Sequence, residues 1–225
     1  MLSDWHWLQR FLHPTGVGCI MRNHSGSTRG GGDIMGREFE LKYQATPEII
    51  AESRGKFGDF TPISMETTYS DTEDFSLRKR KWTLRQRLEN GRAVCTVKTP
   101  LPDGSRGEWE VENPDLAAGA ARLCAMGAPR EILDYVNQGV APFCGATFTR
   151  LAKTIDLPGG AVELALDQGL LLGGGREQPF AEVEVELKSG SDAVAVDFAN
   201  ALAQEFGLKP QPKSKLARAM ALTTP

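Results

Sequence analysis

Residues 37–43 form a short stretch in which charged side chains alternate with Phe39, Leu41 and Tyr43. In an extended strand, successive side chains point to opposite faces, so Glu38, Glu40 and Lys42 share one face. On alternation alone, this pattern is typical of the solvated face of a half-buried antiparallel strand. Its meaning therefore depends on the strands that follow.

Seven further stretches predict strands by the same alternation. They cover residues 63–71, 82–88, 93–98, 106–112, 146–157, 161–168 and 180–188. Asn90-Gly91 and Pro102-Asp103-Gly104 are turn signals between neighbouring strands, and Pro158-Gly159-Gly160 is a third. The strands are therefore mostly linked as hairpins.

Helices are predicted in the longer gaps. They comprise Pro47 to Arg54 with Thr46 as N-cap and Gly55 as stop, two short helices between Asp115 and Val136, a helix from Ser191 to Phe206, and a last one from Lys213 to Met220. Residues 73–81 are predicted to be a charged connection. The chain shows no βαβ alternation, so the fold class is α+β with an antiparallel sheet.

Charged side chains share one face on most of these strands. They include Arg85 and Arg87, Glu108 and Glu110, Glu163 and Asp167, and Glu182, Glu184 and Glu186. The opposite faces are apolar and need the helices as a cover. We therefore predict an eight-stranded antiparallel β-barrel, covered outside by helices, whose charged side chains point into the lumen.

Enclosed charges must be paired, hydrated or matched by a ligand. Guanidinium and ammonium groups bind phosphate oxygens, and carboxylates bind hard cations such as Mg²⁺ or Mn²⁺. This combination predicts a metal-bound triphosphate as substrate. No histidine follows Met35, so the nucleophile is expected to be a water that the metal activates or a carboxylate orients.

Composition narrows the remaining function classes. The 225 residues carry a net charge of -3, which gives no whole-molecule attraction to nucleic acid. The four cysteines lack metal-ligand spacing and are expected to be free thiols in the cytoplasm. No apolar run is long enough to predict a membrane span. Residues 1–34 are predicted to be a flexible extension, 35–221 the domain, and 222–225 a tail.

Seven motifs in order make the chain resemble the CYTH superfamily of triphosphate tunnel metalloenzymes. They are Glu38-x-Glu40-x-Lys42, Tyr69-Ser-Asp71-Thr72 with Leu84-Arg85-Gln86-Arg87, Thr96-Val-Lys98, Arg106-Gly-Glu108-Trp-Glu110, Glu163 to Gly169, Glu182 to Glu186, and Ser214-Lys215-Leu216-Ala217. The resemblance covers about residues 37–221. It is strongest to bacterial inorganic triphosphatases whose CYTH domain often precedes a helical CHAD domain. The sequence contains no CHAD domain. We therefore expect a CHAD-type domain either as a fused segment absent from this chain or as a separate partner protein.

The resemblance implies cleavage of the terminal phosphate of tripolyphosphate with Mg²⁺ or Mn²⁺. Thiamine triphosphatase and class IV adenylyl cyclase share the fold, and a non-catalytic polyphosphate-binding module is the alternative from another class. Metal ligands would be Glu38, Glu40, Glu182 and Glu184, and Glu108, Glu110 and Asp167 would bind a second metal or position water. Phosphate ligands would be Lys42, Arg85, Arg87, Lys98, Arg150 and Lys215. The catalytic set would be Glu38, Glu40, Lys42 and Asp167.

One position departs from the family pattern. Many members carry a lysine two residues before the arginine that matches Arg150, and Phe148 stands there in this chain. Either one cationic contact is absent, or Lys153 supplies it from the opposite strand face.

Overall fold

The structure, a computed structural model, describes residues 39–101 and 106–224. The helices are α1 (Pro47–Phe57), α2 (Ser76–Lys79), α3 (Leu116–Ala125), α4 (Glu131–Gln138), α5 (Asp192–Phe206) and α6 (Lys215–Ala221). The strands are β1 (Glu40–Gln44), β2 (Thr61–Asp71), β3 (Thr83–Glu89), β4 (Arg92–Pro100), β5 (Arg106–Glu112), β6 (Ala141–Leu157), β7 (Gly160–Gly173), β8 (Arg176–Gly190) and β9 (Lys209–Pro210). The predicted extension, residues 1–34, lies outside the described residues.

The strands form one antiparallel sheet in the order β5-β4-β3-β2-β6-β7-β8-β1-β9. All eight predicted strands are present, which confirms the α+β class and the antiparallel architecture. The ninth strand has two residues and pairs with the end of β1. Within the described ranges no hydrogen-bonded ladder joins β5 to β1 or β9, so the series of paired strands is open at that seam.

Two helical layers cover the outer, apolar face of the sheet. On one side, Phe198 and Leu202 of α5 pack with Leu164, Val183 and Val185 of β7 and β8. On the other, Leu123 of α3 and Ile132 of α4 pack with Leu84, Val97 and Trp109 of β3 to β5. Burial of these side chains supplies the hydrophobic free energy that holds the helices to the sheet. The predicted helical cover of the apolar faces is confirmed.

The last helix, α6, packs on the inner face instead. Its Ala219, with Leu216 and Met220, contacts a group of apolar side chains that share this face with the charged ones. That group includes Met65, Tyr69, Phe148 and Phe180. The inner face is therefore charged along part of its length and apolar where α6 lies, whereas the sequence analysis expected apolar residues only outside.

Several predicted boundaries are corrected by local contacts. Helix α1 continues through Gly55 to Phe57 and is capped by Gly58, whose φ of 54° glycine adopts without strain. Helix α2 lies within the predicted connection, where the buried carboxylate of Asp71 accepts hydrogen bonds from the backbone N–H of Leu77 and Arg78 at 3.0 and 3.2 Å. Strand β7 extends beyond the predicted residues 161–168, and the run Leu170-Leu171-Leu172 was missed because it does not alternate. Strand β8 also extends beyond the predicted residues 180–188.

No helix among the described residues has the length and apolar character needed to cross a lipid bilayer.

Leu202→Ala should lower the free energy of unfolding by about 2–5 kcal/mol, since Leu202 is fully buried between α5 and the sheet. Gln204→Ala, on the exposed face of the same helix, should change it by no more than about 0.5 kcal/mol. Urea unfolding followed by circular dichroism measures both. Equal losses in the two variants would contradict the packing described for α5.

Candidate active site

Strand register brings the predicted site residues onto one face of the sheet. Residues directly opposite each other on antiparallel strands point to the same face. Lys42 of β1 lies opposite Glu184 of β8, and Asp167 of β7 lies opposite both Glu182 of β8 and Arg150 of β6. The parity argument is therefore confirmed for these strands. Glu38, which the sequence analysis assigns to the metal and to catalysis, lies outside the described residues.

Three carboxylates, those of Asp167, Glu182 and Glu184, form a cluster that we call the acidic triad. Each offers one oxygen within 4.8 Å of the others, and all three residues are buried. Carboxylates at this spacing would repel each other strongly without compensation. Oxygen donors of this kind suit Mg²⁺ or Mn²⁺, so the triad fits the cation that the sequence analysis predicts.

Three cations contact the acidic triad. Arg150 forms a bidentate pair with Asp167 through two 2.8 Å hydrogen bonds and also contacts Glu184. The Lys215 ammonium lies 2.7 Å from Asp167 and 2.9 Å from Glu184, and it also contacts Glu182. Arg218 contacts Glu182. Three positive groups thus balance three negative ones.

The pKa shifts reflect this pairing. Burial alone would lower the pKa of Lys215, but the surrounding carboxylates, led by Asp167, outweigh it and raise the pKa. Burial alone would raise the pKa of Glu184, but Lys215 and Arg150 hold it well below its usual range. For Glu182 the order is reversed, since burial raises its pKa against the opposing effect of Lys215. Lys215 and Glu184 are therefore an ion pair at neutral pH.

A second charged cluster lies on β3, β4 and β5. Arg85 donates to Glu110 at 2.7 Å, Thr96 donates to the same oxygen at 2.7 Å, and Lys98 lies 2.7 Å from Glu108. Burial would raise the pKa of Glu110, but Arg85 and its other partners lower it. Four predicted ligands are therefore brought together here.

Arg87 belongs to the same cluster, and one of its hydrogen-bond donors has no acceptor among the described residues. It contacts Glu89 and lies 3.8 Å from Glu110, but its buried Nε has no hydrogen-bond partner among the described residues. Burial, followed by the neighbouring charge of Arg85, lowers its pKa. A buried guanidinium N–H without an acceptor is costly, and a phosphate oxygen would satisfy it.

The third group of charges lies at the β1 edge. Glu40 of β1, Glu186 of β8 and Glu163 of β7 stand opposite one another in a row across three strands. Lys42 contacts Glu40 at 2.6 Å, and Lys188 contacts Glu186 at 2.9 Å. Beside this row, a cavity of about 430 Å³ is lined by Asp59, Thr61, Ala152, Lys153, Thr154 and Glu163.

Lys153 does not replace the lysine that is missing at position 148. Its ammonium donates to the backbone oxygens of Phe57 and Gly58 at 2.5 and 3.1 Å, which caps the C-terminus of α1. Phe148 instead packs edge-on against Phe180, and the Lys215 ammonium lies 5.0 Å from the Phe148 ring centroid. The contacts with Phe57 and Gly58 direct the Lys153 ammonium to the end of α1 and away from the cluster around Arg150.

Sequence reasoning missed Arg218 and Thr96. Arg218 follows Lys215 by three residues, so the two side chains emerge from one face of α6. That spacing was the available signal, but the helix was expected outside the sheet. Thr96 was part of the motif Thr96-Val-Lys98, but only Lys98 of that motif was assigned a role.

Arg218→Ala should lower the free energy of unfolding by about 1–3 kcal/mol, because it removes one cation from the fully buried Glu182. Arg92→Ala is the matched control, since Arg92 is exposed and its acidic partners lie at 3.7 and 3.8 Å. That change should cost less than about 1 kcal/mol. Urea unfolding measures both, and an Arg218→Ala variant as stable as wild type would refute the importance of this pair.

Comparisons with known proteins agree with this geometry. The chain is 28% identical over 193 residues to an inorganic triphosphatase of Haemophilus influenzae, an alignment that covers 83% of this chain and 55% of that protein. The chain therefore spans about half the length of this relative.

Solved structures show the same fold. One is a candidate adenylyl cyclase from Hippeastrum that is described as having a dominant triphosphatase activity. It superposes with a TM-score of 0.60 at 17% sequence identity, and the match covers 84% of this chain and 97% of that chain. A candidate adenylate cyclase from Bacillus halodurans gives 0.55 at 22% identity, covering 79% and 93%. The CYTH domain profile matches residues 36–220. The chain therefore belongs to the CYTH domain family.

Proposed function

We propose that this chain is a metal-dependent phosphohydrolase that removes the terminal phosphate of tripolyphosphate. The observation that carries the proposal is the inner face of the sheet, where two strands, β2 and β6, separate the acidic triad from Arg87, whose buried Nε lacks a hydrogen-bond partner among the described residues. A divalent cation and a polyanion are the two ligands that such a face can hold together. The name of the Haemophilus relative supports the same reaction class.

The cations of the inner face would hold the phosphate oxygens. One wall of the face, formed by β3 and β4, supplies Arg85, Arg87 and Lys98. The other wall, formed by β1, β6 and α6, supplies Lys42, Arg150 and Lys215. Guanidinium groups bind two oxygens at once, which fixes the orientation of the chain of phosphates. Binding between the two walls would place the terminal phosphorus at a constant distance from the carboxylates.

Glu184 and Glu182, with Glu40 and Glu38 from the first strand, would hold Mg²⁺ or Mn²⁺, and Glu108 and Glu110 would serve a second ion. The bound metal would supply charge neutralisation on the phosphate oxygens and would lower the pKa of a bound water. Both oxygens of the fully buried Asp167 face Arg150 or Lys215. We therefore assign Asp167 the orientation of these two cations, and Glu40 the orientation of the attacking water.

The choice of an inorganic substrate rests on the name of the Haemophilus relative. The cavity beside the β1 edge does not bear on that choice, because none of the assigned phosphate or metal ligands lines it. No nucleic-acid or membrane partner is part of the proposal. A cytoplasmic location and a CHAD-type partner remain expectations from the sequence.

Purified protein with Mg²⁺ or Mn²⁺ should release phosphate from tripolyphosphate, and chelation of the metal should abolish release. Glu40→Ala and Arg87→Ala should each lower kcat/KM by about 100-fold or more, because each removes a charged contact made in the transition state. Glu52→Ala and Arg54→Ala on the exposed face of α1 are matched controls that should retain activity. Wild-type rates in Glu40→Ala and Arg87→Ala would contradict the proposal.

A substrate panel separates the alternatives. Equal concentrations of tripolyphosphate, thiamine triphosphate and ATP should give the highest kcat/KM for tripolyphosphate, because the assigned ligands all contact phosphate or metal and none is assigned to an organic group. Conversion of ATP to cyclic AMP would indicate an adenylyl cyclase, and preference for thiamine triphosphate would indicate that activity. Binding of long polyphosphate without turnover under either metal would instead indicate a binding module.

A further inference from the structure

The Lys215 ammonium occupies the centre of the acidic triad. It contacts one oxygen of each carboxylate, at 2.7 Å from Asp167 and 2.9 Å from Glu184. These are the groups whose oxygens lie within 4.8 Å of one another. An ammonium has three donors and no acceptor, so the three carboxylates satisfy it completely. The triad is therefore already filled by a cation of the chain itself.

The balance of charges in and around the acidic triad determines whether a divalent cation can bind there. With all three carboxylates ionised, the triad carries three negative charges, and Arg150, Lys215 and Arg218 carry three positive ones. Adding a divalent ion to this neutral, buried group would leave two uncompensated positive charges, which is strongly unfavourable where solvent screening is weak. Metal binding to the triad therefore requires that a resident cation leave or that anions arrive.

Lys215 is the resident cation whose departure would open the whole triad, because it contacts all three carboxylates. Arg150 is fixed by a bidentate pair, and the departure of Arg218 would free Glu182 alone among the three. Lys215 is the first residue of α6, which Ser214 caps and Ala219 anchors in the apolar group. Its ammonium sits on a flexible four-carbon stem, so it can swing to a phosphate oxygen while the helix stays in place.

We propose that the Lys215 ammonium and the divalent cation compete for the acidic triad, so that the triad takes up metal tightly only when a triphosphate is present to accept the ammonium. This inference rests on the proposed function, which supplies both ligands. The triphosphate brings the negative charge that the metal needs, and Lys215 transfers from carboxylate to phosphate oxygens. Metal and substrate thus bind cooperatively, and the acidic triad is protected from metal in the resting enzyme.

The test is Mn²⁺ binding to the full chain without triphosphate, measured by electron paramagnetic resonance and by isothermal titration calorimetry. Lys215→Met removes the charge and keeps a stem that packs on Phe148 and Phe180. It should bind Mn²⁺ about tenfold or more tightly than wild type, because one unit charge leaves a buried site. Lys215→Arg, which keeps the charge, should bind as weakly as wild type.

Lys56→Met is the matched control. Lys56 contacts Glu205 and lies near the rings of Phe57 and Phe206, but on the outer layer of helices. This change alters the net charge equally and should leave Mn²⁺ affinity unchanged. If Lys56→Met tightens binding as much as Lys215→Met, the effect is one of overall charge and the proposal fails. It also fails if Lys215→Met binds Mn²⁺ no better than wild type, or if neither protein binds it.

Thermal unfolding covers the case in which Lys215→Met is unstable. Mn²⁺ should raise the Tm of this variant more than that of wild type, since a ligand stabilises the state that binds it. If the variant is unfolded without metal and Mn²⁺ does not restore its circular dichroism, the proposal is overturned. Phosphate release from tripolyphosphate by the wild type is assayed separately. If the wild type releases phosphate but Lys215→Met does not bind Mn²⁺ more tightly, the competition between Lys215 and the metal is rejected and the proposed function stands. If Lys215→Met binds Mn²⁺ more tightly but the wild type releases no phosphate, the proposed function is rejected and the competition stands.

Discussion

Burial of three carboxylates on the neighbouring strands β7 and β8 is the constraint that shapes the inner face of this protein. Asp167 and Glu182 are fully buried, and Glu184 nearly so. Like charges this close require cations within contact distance. One cation, Arg150, comes from the adjacent strand β6, but the others come from α6 at the far end of the sequence. The helix must therefore lie inside the curved sheet, and the apolar side chains beneath it give it a surface on which to pack.

The inner face divides into two charged parts, and each contains a buried guanidinium N–H that lacks an acceptor among the described residues. Around the acidic triad, every carboxylate is matched by a cation, but the Nε of Arg218 has no acceptor. On β3 to β5, Thr96 and Arg85 satisfy Glu110, but the Nε of Arg87 has no acceptor. A phosphate oxygen would satisfy either N–H group. The separation of the two parts across β2 and β6 matches an extended ligand better than a compact one.

Strand parity made most of this face predictable, because alternation alone determines which side chains share it. The pairing of Lys42 with Glu184 and of Arg150 with Asp167 follows from that parity once the strands are neighbours. The inner position of α6 was not predictable in the same way. Its sequence shows only a short amphipathic helix, and the apolar residues that receive it lie on four different strands. The helical cover of the outer face was predictable, since continuous apolar faces on those strands require one.

Phe148 and Arg218 are best understood together. A lysine at position 148 would point into the same cluster as Arg150, because both positions lie on one face of β6. With Lys215 and Arg218 also present, such a cluster would hold four cations against three carboxylates, an excess that burial makes unfavourable. Phe148 removes that excess and pairs with Phe180, and the Arg218 guanidinium lies 5.2 Å from the Phe180 ring. The charge balance of this cluster is therefore shared between β6, which supplies Arg150, and α6, which supplies Lys215 and Arg218.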